Sequence, residues 1–250
     1  IFGTTKFGQR VDLIRFSNGN GLDCAFLSYG AGLQSCRFPS KTNISEELTL
    51  GYESMAAAES QEQYHFSGTS GRVTGTIPQG MFSLDGEVHE LDLNDGDHHS
   101  HGGFQGFDKQ VWDFEGVTWG AGGAGGVRFR RASLNGEQGY PGSLAVEVDY
   151  TVFSTNCLRV RHRARCARGA GPVDLSNHFL WNLSGGFGEP VGKHELWVRA
   201  ARYWPAPGAA GEALGAAPAP VAGTPLNFQL PVALRWRLAK LPRGRLDHCF

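Results

Sequence analysis

Several features that mark specialised classes of protein are scarce in this sequence. Only five of its 250 residues are cysteine, and positive and negative side chains nearly balance, giving a formal net charge of −1. Such a balance argues against an electrostatic nucleic-acid surface. No apolar run reaches the length of about 18 residues that indicates a membrane-spanning helix. We therefore expect neither a nucleic-acid partner nor a membrane partner.

The cysteines are scattered and form no CxxC pair; they are Cys24, Cys36, Cys157, Cys166 and Cys249. An odd, irregular set is typical of a reducing compartment, which favours the cytoplasm. The simplest interpretation is that they are reduced thiols in the core. A pairing of Cys157 with Cys166 across neighbouring strands is the alternative.

Glycine, in contrast, is abundant at 36 residues, and long helical periods are few. This combination predicts a fold of many strands joined by glycine turns. The predicted elements are hairpins at 11–27 and 81–91, strands at 143–153, 158–166 and 226–238, and a short helix at 53–60. The Pro/Ala/Gly-rich stretch 205–223 is interpreted as a surface loop within a single domain, residues 1–250, and not as an interdomain linker.

The predicted strand at 158–166 has two chemically different faces. Leu158, Val160 and His162 fall on one face, and the other carries Arg159, Arg161, Arg163 and Arg165. The arginines are interpreted as a solvated strand face, with a phosphate-binding stripe as the alternative. His162 is interpreted as a core histidine, because its neighbours on that face are apolar.

The stretch "NDGDHHSHGGFQGFDKQVW" (94–112) concentrates acids and histidines around a pair of glycines. Three interpretations compete for it: a metal site, a proton-transfer site and a polar surface turn. Zinc sites do use histidine and aspartate, but ligands this close together on a glycine-rich turn match no closed zinc site. We therefore expect no metal, and a polar turn is a reasonable interpretation of His98 and His99.

Two further stretches carry candidate residues. In "PVDLSNHFLWNLSG" (172–185), His178 stands among apolar residues. Its ordinary pKa of about 6.5 suits proton transfer in either direction, although a structural histidine is favoured by these residues alone. In "RLDHCF" (245–250), Asp247 is able to orient a histidine or to accept hydrogen bonds from a hydroxylated ligand.

Five stretches, in order along the chain, resemble motifs of the aldose 1-epimerases, also called galactose mutarotases. They are "LTLGYES" with "GRVTGTI" (71–77), "HGGFQGFDKQVW", "SLNGEQGYPGSL" (133–144), "PVDLSNHFLWNL" and "GRLDHCF". The resemblance implies an all-β fold, a large antiparallel β-sandwich with a sugar-binding cleft. It also implies an aldohexose ligand such as galactose or glucose, and neither cofactor nor metal.

In that family a glutamate removes the proton of the anomeric hydroxyl while a histidine protonates the ring oxygen. The ring opens, C1 rotates, and closure on the other face gives the other anomer. By resemblance, His178 is the general acid and His101 is a catalytic residue that hydrogen-bonds the sugar near the reacting centre. Asp247 holds sugar hydroxyls, and Gly102-Gly103 let the backbone turn beneath the sugar.

The sequence also departs from the family pattern. Thr76 stands where a sugar-contacting arginine is expected, Arg72 matches a different position, and Leu180 and Trp181 replace tyrosine and phenylalanine. No acid matches the glutamate base, so we expect the C-terminal strands to be missing and mutarotation by this chain to be slow. The alternative function is a catalytically degenerate sugar-binding or structural component, with a protein partner completing the sheet.

Overall fold

The structure is a computed structural model. It describes residues 1–61, 64–120, 124–186, 188–205, 217–241, 244–246 and 248–250. The chain divides into two compact units, Ile1–Trp181 and Asn182–Phe250. The assignment of residues 1–250 to a single domain stays a prediction, and the two units are described separately.

The first unit is built mainly of strands. The strands before the first α-helix are β1 (Gly3–Thr4), β2 (Arg10–Val11), β3 (Leu13–Ser17), β4 (Asp23–Leu27), β5 (Gly32–Pro39) and β6 (Ser45–Glu47). After the helix α1 (Met55–Ser60) come β7 (Thr69–Ser70), β8 (Thr76–Pro78), β9 (Met81–Leu84), β10 (Glu87–Glu90), β11 (His98–Ser100), β12 (Asp113–Trp119), β13 (Gly125–Ser133), β14 (Ser143–Val152), β15 (Leu158–Arg168) and β16 (Ser176–Asn177).

Two four-stranded antiparallel sheets form the body of this unit, β3-β4-β5-β6 and β12-β13-β14-β15. Their apolar faces share one core, in which the rings of Phe26 on β4 and Tyr150 on β14 lie 4.6 Å apart. Tyr150 also donates a hydrogen bond from its hydroxyl to the carbonyl oxygen of Ala31, at 2.6 Å. The predicted all-β fold is confirmed; that closing strands are missing stays a prediction.

The predicted hairpins and the predicted helix form where they were expected. β3 pairs with β4, and β9 pairs with β10 around Asp85 and Gly86. Both turn residues have positive φ, 53° and 86°, as a two-residue hairpin turn requires. The helix α1 begins after Ser54, whose Oγ accepts a hydrogen bond from the Ala57 backbone N–H at 3.1 Å.

The outer face of the second sheet carries ion pairs. Arg128 donates to the carboxylate of Asp149 at 2.6 Å, and Arg163 donates to the same carboxylate. Burial raises the pKa of Asp149, but hydrogen bonds from the two arginines outweigh burial and hold that pKa below its ordinary value. The arginines at 159, 161, 163 and 165 are all exposed, as expected for a solvated face, and His162 is half-buried.

The second unit contains short elements around a small apolar cluster. They are β17 (Glu195–Leu196), β18 (Arg202–Tyr203), β19 (Ala219–Pro220), β20 (Val232–Ala233) and the helix α2 (Leu234–Leu238). The prediction of a strand over 226–238 is wrong except at Val232–Ala233, since 226–231 form no strand and Leu234–Leu238 form a helix. Leu234 and Leu238 lie four residues apart, on one side of a helical turn, and both pack against Leu226 and Phe228.

The predicted loop 205–223 lies partly outside the described residues. Within the described part, β19 at 219–220 pairs with β18. None of the helices in the described ranges is long and apolar enough to cross a membrane.

The cysteines differ from the predicted set of core thiols. Cys24 and Cys36 are buried and lie opposite each other on β4 and β5, whereas Cys157, Cys166 and Cys249 are exposed. The alternative pairing of Cys157 with Cys166 is also wrong, because Cys157 directly precedes β15 and Cys166 lies within that same strand, so they are not on neighbouring strands. Nine residues of extended chain separate them by roughly 30 Å.

Replacing Asp149 tests the ion pairs of the second sheet. We expect Asp149→Asn to lower the free energy of unfolding at neutral pH by about 2 kcal/mol, because an amide cannot replace the charged hydrogen bonds. The pKa of Asp149 is lower in the folded chain than its ordinary value of 3.8. Its contribution is therefore complete above about pH 4 and is lost as the pH falls below that value.

Urea titrations of both proteins near pH 7 and near pH 3 measure the effect. The difference in unfolding free energy should be large at the higher pH and small at the lower one. Asp97→Asn, at an exposed position, is the matched control. An equal loss of stability in the Asp97 variant, or a difference that grows on acidification, contradicts the prediction.

Candidate active site

His101 is placed by the pairing of two short strands. β11 pairs with β8, and His101 follows directly, its backbone N–H donating to the carbonyl oxygen of Gly75 at 3.0 Å. His101 has a positive φ of 49°, and the glycines that follow it have φ of 88° and 96°. A Cβ atom on Gly102 would collide with the carbonyl oxygen of Gly71. The predicted need for glycine here therefore comes from this close backbone approach.

His178 is placed by a second pair of short strands, β16 and β7. Its backbone N–H donates to the carbonyl oxygen of Gly68 at 2.9 Å, and its carbonyl oxygen accepts from the N–H of Ser67 at 3.0 Å. Its predicted apolar surroundings are only partly present. Phe179 packs against the core, whereas Leu180 and Trp181 are exposed.

The structure brings His101 and His178 together and adds a third histidine. The rings of His101 and His178 lie 5.6 Å apart, edge to face. The ring of His65 lies 4.7 Å from that of His101 and 6.0 Å from that of His178. We refer to His65, His101 and His178 as the histidine cluster. Sequence reasoning missed His65, although it stands only a few residues before "GRVTGTI".

A buried carboxylate supports the cluster from one side. Oδ2 of Asp108 lies 2.7 Å from Nδ1 of His65, and the Asp108 side chain is only 3% exposed. Asp108 belongs to the 3₁₀ turn Phe107–Lys109, which is fixed by a hydrogen bond from the Phe107 N–H to the carbonyl oxygen of Gly71 at 3.0 Å. Sequence reasoning quoted Asp108 within "GFDK" but gave it no role.

The neighbouring histidines have different environments. His99 is completely buried: its Nδ1 donates to the carbonyl oxygen of Asp92 at 2.7 Å, and its Nε2 accepts from the hydroxyl of Tyr140 at 2.8 Å. Burial lowers the pKa of His99. The polar-turn interpretation is therefore wrong for His99, which is a core histidine in β11.

The metal interpretation concerned the acids and histidines of residues 94–112. Asp95 and Asp97 are exposed, and within the described ranges no group of three or more histidine, cysteine or acidic side chains is placed to hold a metal ion. The expectation of a metal-free site stays a prediction. Asp247, the expected sugar-binding aspartate, lies outside the described residues.

Arg72 serves the architecture of the site. Its side chain is 1% exposed, and the guanidinium donates to the backbone carbonyls of Ser133, Leu134, Pro141 and Gly142 and to the Ser133 hydroxyl. Burial lowers the pKa of Arg72. Through these hydrogen bonds, Arg72 connects the segment that carries β7 and β8 to the loop between β13 and β14. Thr76, which stands where the resemblance leads us to expect a sugar-contacting arginine, lies in β8 opposite Ser100.

The chain belongs to the aldose 1-epimerase family, whose model matches residues 12–250. It is 31% identical to the galactose mutarotase of Homo sapiens over 248 residues, which are 98% of this chain and 66% of that protein. It is 32% identical to the aldose 1-epimerase of Haemophilus influenzae over 199 residues, 79% of this chain and 56% of that protein.

Solved structures show the same likeness. The galactose 1-epimerase of Lactobacillus acidophilus superimposes with a TM-score of 0.83 at 27% identity, covering 99% of this chain and 71% of that one. The chain spans about two thirds (66%) of the length of the human galactose mutarotase.

We predict that Arg72 stabilises the fold through the hydrogen bonds that its guanidinium donates to backbone carbonyls. Arg72→Lys retains the charge but offers a single nitrogen for carbonyls spread around a planar guanidinium. It should lower the free energy of unfolding by about 3 kcal/mol, as measured by urea titration. Arg161→Lys, an exposed position on β15, is the control and should have almost no effect. Equal stabilities of the two variants would show that Arg72 is not an anchor.

Proposed function

We propose that the histidine cluster binds an aldohexose and that the chain takes part in interconverting the α and β anomers. The observation that carries this proposal is the meeting of His101 and His178, whose rings lie 5.6 Å apart. The resemblance assigns both to one sugar site, and separate strand pairs of the fold place both beside the same segment. Family membership and the printed names of the relatives support galactose as the first sugar to test.

The proposed chemistry uses the imidazoles as proton carriers. His178 donates a proton to the ring oxygen, which makes that oxygen a leaving group as the C1–O5 bond breaks. His101 hydrogen-bonds the sugar beside it. Histidine suits both roles because its ordinary pKa of about 6.5 allows either protonation state near neutral pH. No cofactor or metal enters these steps, since proton transfer alone opens and closes the ring.

The remaining parts of the function are proposed from the resemblance. Asp247 holds hydroxyls of the sugar, and glucose is the second hexose to test. The cytoplasm is the proposed location, on the cysteine pattern described above. The alternative function is sugar binding without turnover, or a structural role with a protein partner. A chain that binds galactose but leaves its mutarotation at the uncatalysed rate would favour this alternative.

Substitutions at His178 and His101 should separate the two roles. Mutarotation by the 250-residue chain is expected to be slow, and any acceleration that scales with protein should disappear in His178→Ala, because a positioned acid is lost. His101→Ala should weaken galactose binding by about tenfold, the loss of one hydrogen bond. Polarimetry with fresh α-D-galactose measures the rate, and isothermal titration calorimetry measures the affinity.

His98→Gln is the matched control. His98 lies in β11, three residues before His101, and its ring nitrogen Nδ1 accepts a hydrogen bond from the Gln79 backbone N–H at 3.4 Å. The control should change neither quantity. Variants at 101 and 178 that bind and turn over galactose as the parent does would refute the proposed site.

A further inference from the structure

We propose that Cys24 and Cys36 form a redox-sensitive dithiol site, at which hydrogen peroxide joins β4 to β5 through a disulfide bond. The two cysteines are buried, 3% and 4% exposed, and both belong to the core that the two four-stranded sheets share. Neither has a part in the proposed sugar chemistry. The inference is therefore independent of the proposed function, and its test uses no sugar.

The strand register places the two cysteines directly opposite each other, Cys24 on β4 and Cys36 on β5. The N–H of Cys36 donates to Oε1 of Glu47 at 2.8 Å, and its carbonyl oxygen accepts from the N–H of Leu48 at 2.9 Å. Both backbone groups of Cys36 are thus directed towards β6. Because they do not bond to β4, Cys24 and Cys36 form a non-hydrogen-bonded pair of the antiparallel ladder.

A pair of this kind has the spacing that a disulfide requires. The Cα atoms of a non-hydrogen-bonded pair lie about 4.5 Å apart, and their side chains are closer than those of a hydrogen-bonded pair. Disulfides span Cα separations of about 4.4–6.8 Å. Since both side chains enter the same core, the bond can form within the existing hairpin.

The two thiols already interact, and the interaction gives them different roles. Cys24 donates a hydrogen bond from its thiol to the sulfur of Cys36. This hydrogen bond raises the pKa of Cys24, and burial raises it further. The same hydrogen bond outweighs burial at Cys36 and lowers the pKa of that thiol. The thiolate is the reactive form of cysteine, so Cys36 attacks the oxidant and Cys24 resolves the product.

One peroxide molecule is consumed for each disulfide. The Cys36 sulfur attacks one oxygen of hydrogen peroxide, the O–O bond breaks, and the departing hydroxide takes the thiol proton and leaves as water. The Cys24 sulfur then attacks the resulting sulfenic acid, the S–O bond breaks, and a second hydroxide leaves as water with the proton of Cys24. Two electrons pass from the two sulfurs to the peroxide, which is reduced to two water molecules.

Burial determines which oxidant reaches the pair. Hydrogen peroxide is little larger than water, whereas a bulky disulfide such as oxidised glutathione must open the core to touch either sulfur. The other cysteines, Cys157, Cys166 and Cys249, are exposed to both reagents. Cys166 lies opposite Leu144 and not opposite a second thiol. We therefore expect peroxide to form the disulfide between Cys24 and Cys36 much faster than oxidised glutathione does.

The disulfide would close the hairpin on which the candidate site rests. The carbonyl oxygen of Gly30 accepts from the N–H of Thr69 at 2.8 Å, and the N–H of Leu33 donates to the carbonyl oxygen of Ser67 at 3.1 Å. A cross-link between β4 and β5 restricts the unfolded chain far more than the folded hairpin, where the strands are already paired. Oxidation should therefore stabilise the first unit.

The test treats the folded 250-residue chain with hydrogen peroxide and then alkylates the remaining thiols. Trypsin releases residues 16–37 as one peptide, because Arg15 and Arg37 are the cleavage sites that bound it, and of the five cysteines it contains Cys24 and Cys36. In the mass spectrum this peptide should lack both alkyl groups and two hydrogen atoms. The melting temperature should rise by about 5–10 °C and return to its first value after reduction with dithiothreitol.

Single substitutions separate this bond from other oxidation. Cys24→Ala and Cys36→Ala should form no disulfide in this peptide, and peroxide should not raise their melting temperatures. Cys166→Ala removes an exposed thiol; it is the matched control and should respond as the parent chain does. If Cys24→Ala fails to fold, as judged by its thermal melt, Cys24→Val takes its place because it refills the volume of the thiol.

Three results would overturn the proposal. The first is a peptide 16–37 that keeps both thiols, or carries sulfinic acid at Cys36, after peroxide treatment of the folded chain. The second is a peroxide-dependent rise in melting temperature that persists in Cys24→Ala. The third is formation of the disulfide by oxidised glutathione as fast as by peroxide, which would show that burial does not select the oxidant.

Discussion

The backbone of residues 67–75 holds the candidate site together. Its carbonyl oxygens accept hydrogen bonds from three different parts of the chain: Gly75 from His101, Gly68 from His178, and Gly71 from the turn that carries Asp108. Ser67 through Arg72 is buried throughout. Because each of these partners is bound to the same short segment, a shift of the segment would move His178, His101 and Asp108 together.

Close packing explains why this segment is so rich in small residues. A Cβ on Gly71 would meet the Phe107 ring at 2.5 Å, and a Cβ on Gly68 would meet the Asp108 side chain at 2.8 Å. Arg72 then anchors the segment to the loop between β13 and β14 through backbone carbonyls. The site thus depends on its glycines as well as on its functional side chains, because these close approaches to the backbone are possible only where no Cβ intervenes.

The sequence predicted the parts of this arrangement that local patterns and motifs encode. Alternation located β14 and β15, Asp85-Gly86 located a hairpin, and the resemblance singled out His101 and His178. It did not predict the pairing of His65 with Asp108, which are 43 residues apart and meet only through tertiary packing. Nor did it show that His99 is buried, because adjacent residues of a strand point to opposite faces and the pattern did not say which face was inside.

The central claim is that one sugar contacts three imidazoles drawn from distant parts of the chain. Long-range ¹H–¹⁵N spectra of the histidine rings test it most directly, recorded during titration with galactose. The claim predicts that the resonances of His65, His101 and His178 shift together along one binding curve, while those of His99, in the core, and His89, on the β9–β10 hairpin, stay in place. Galactose that shifts none of the three, or shifts His65 on a separate curve, would contradict it.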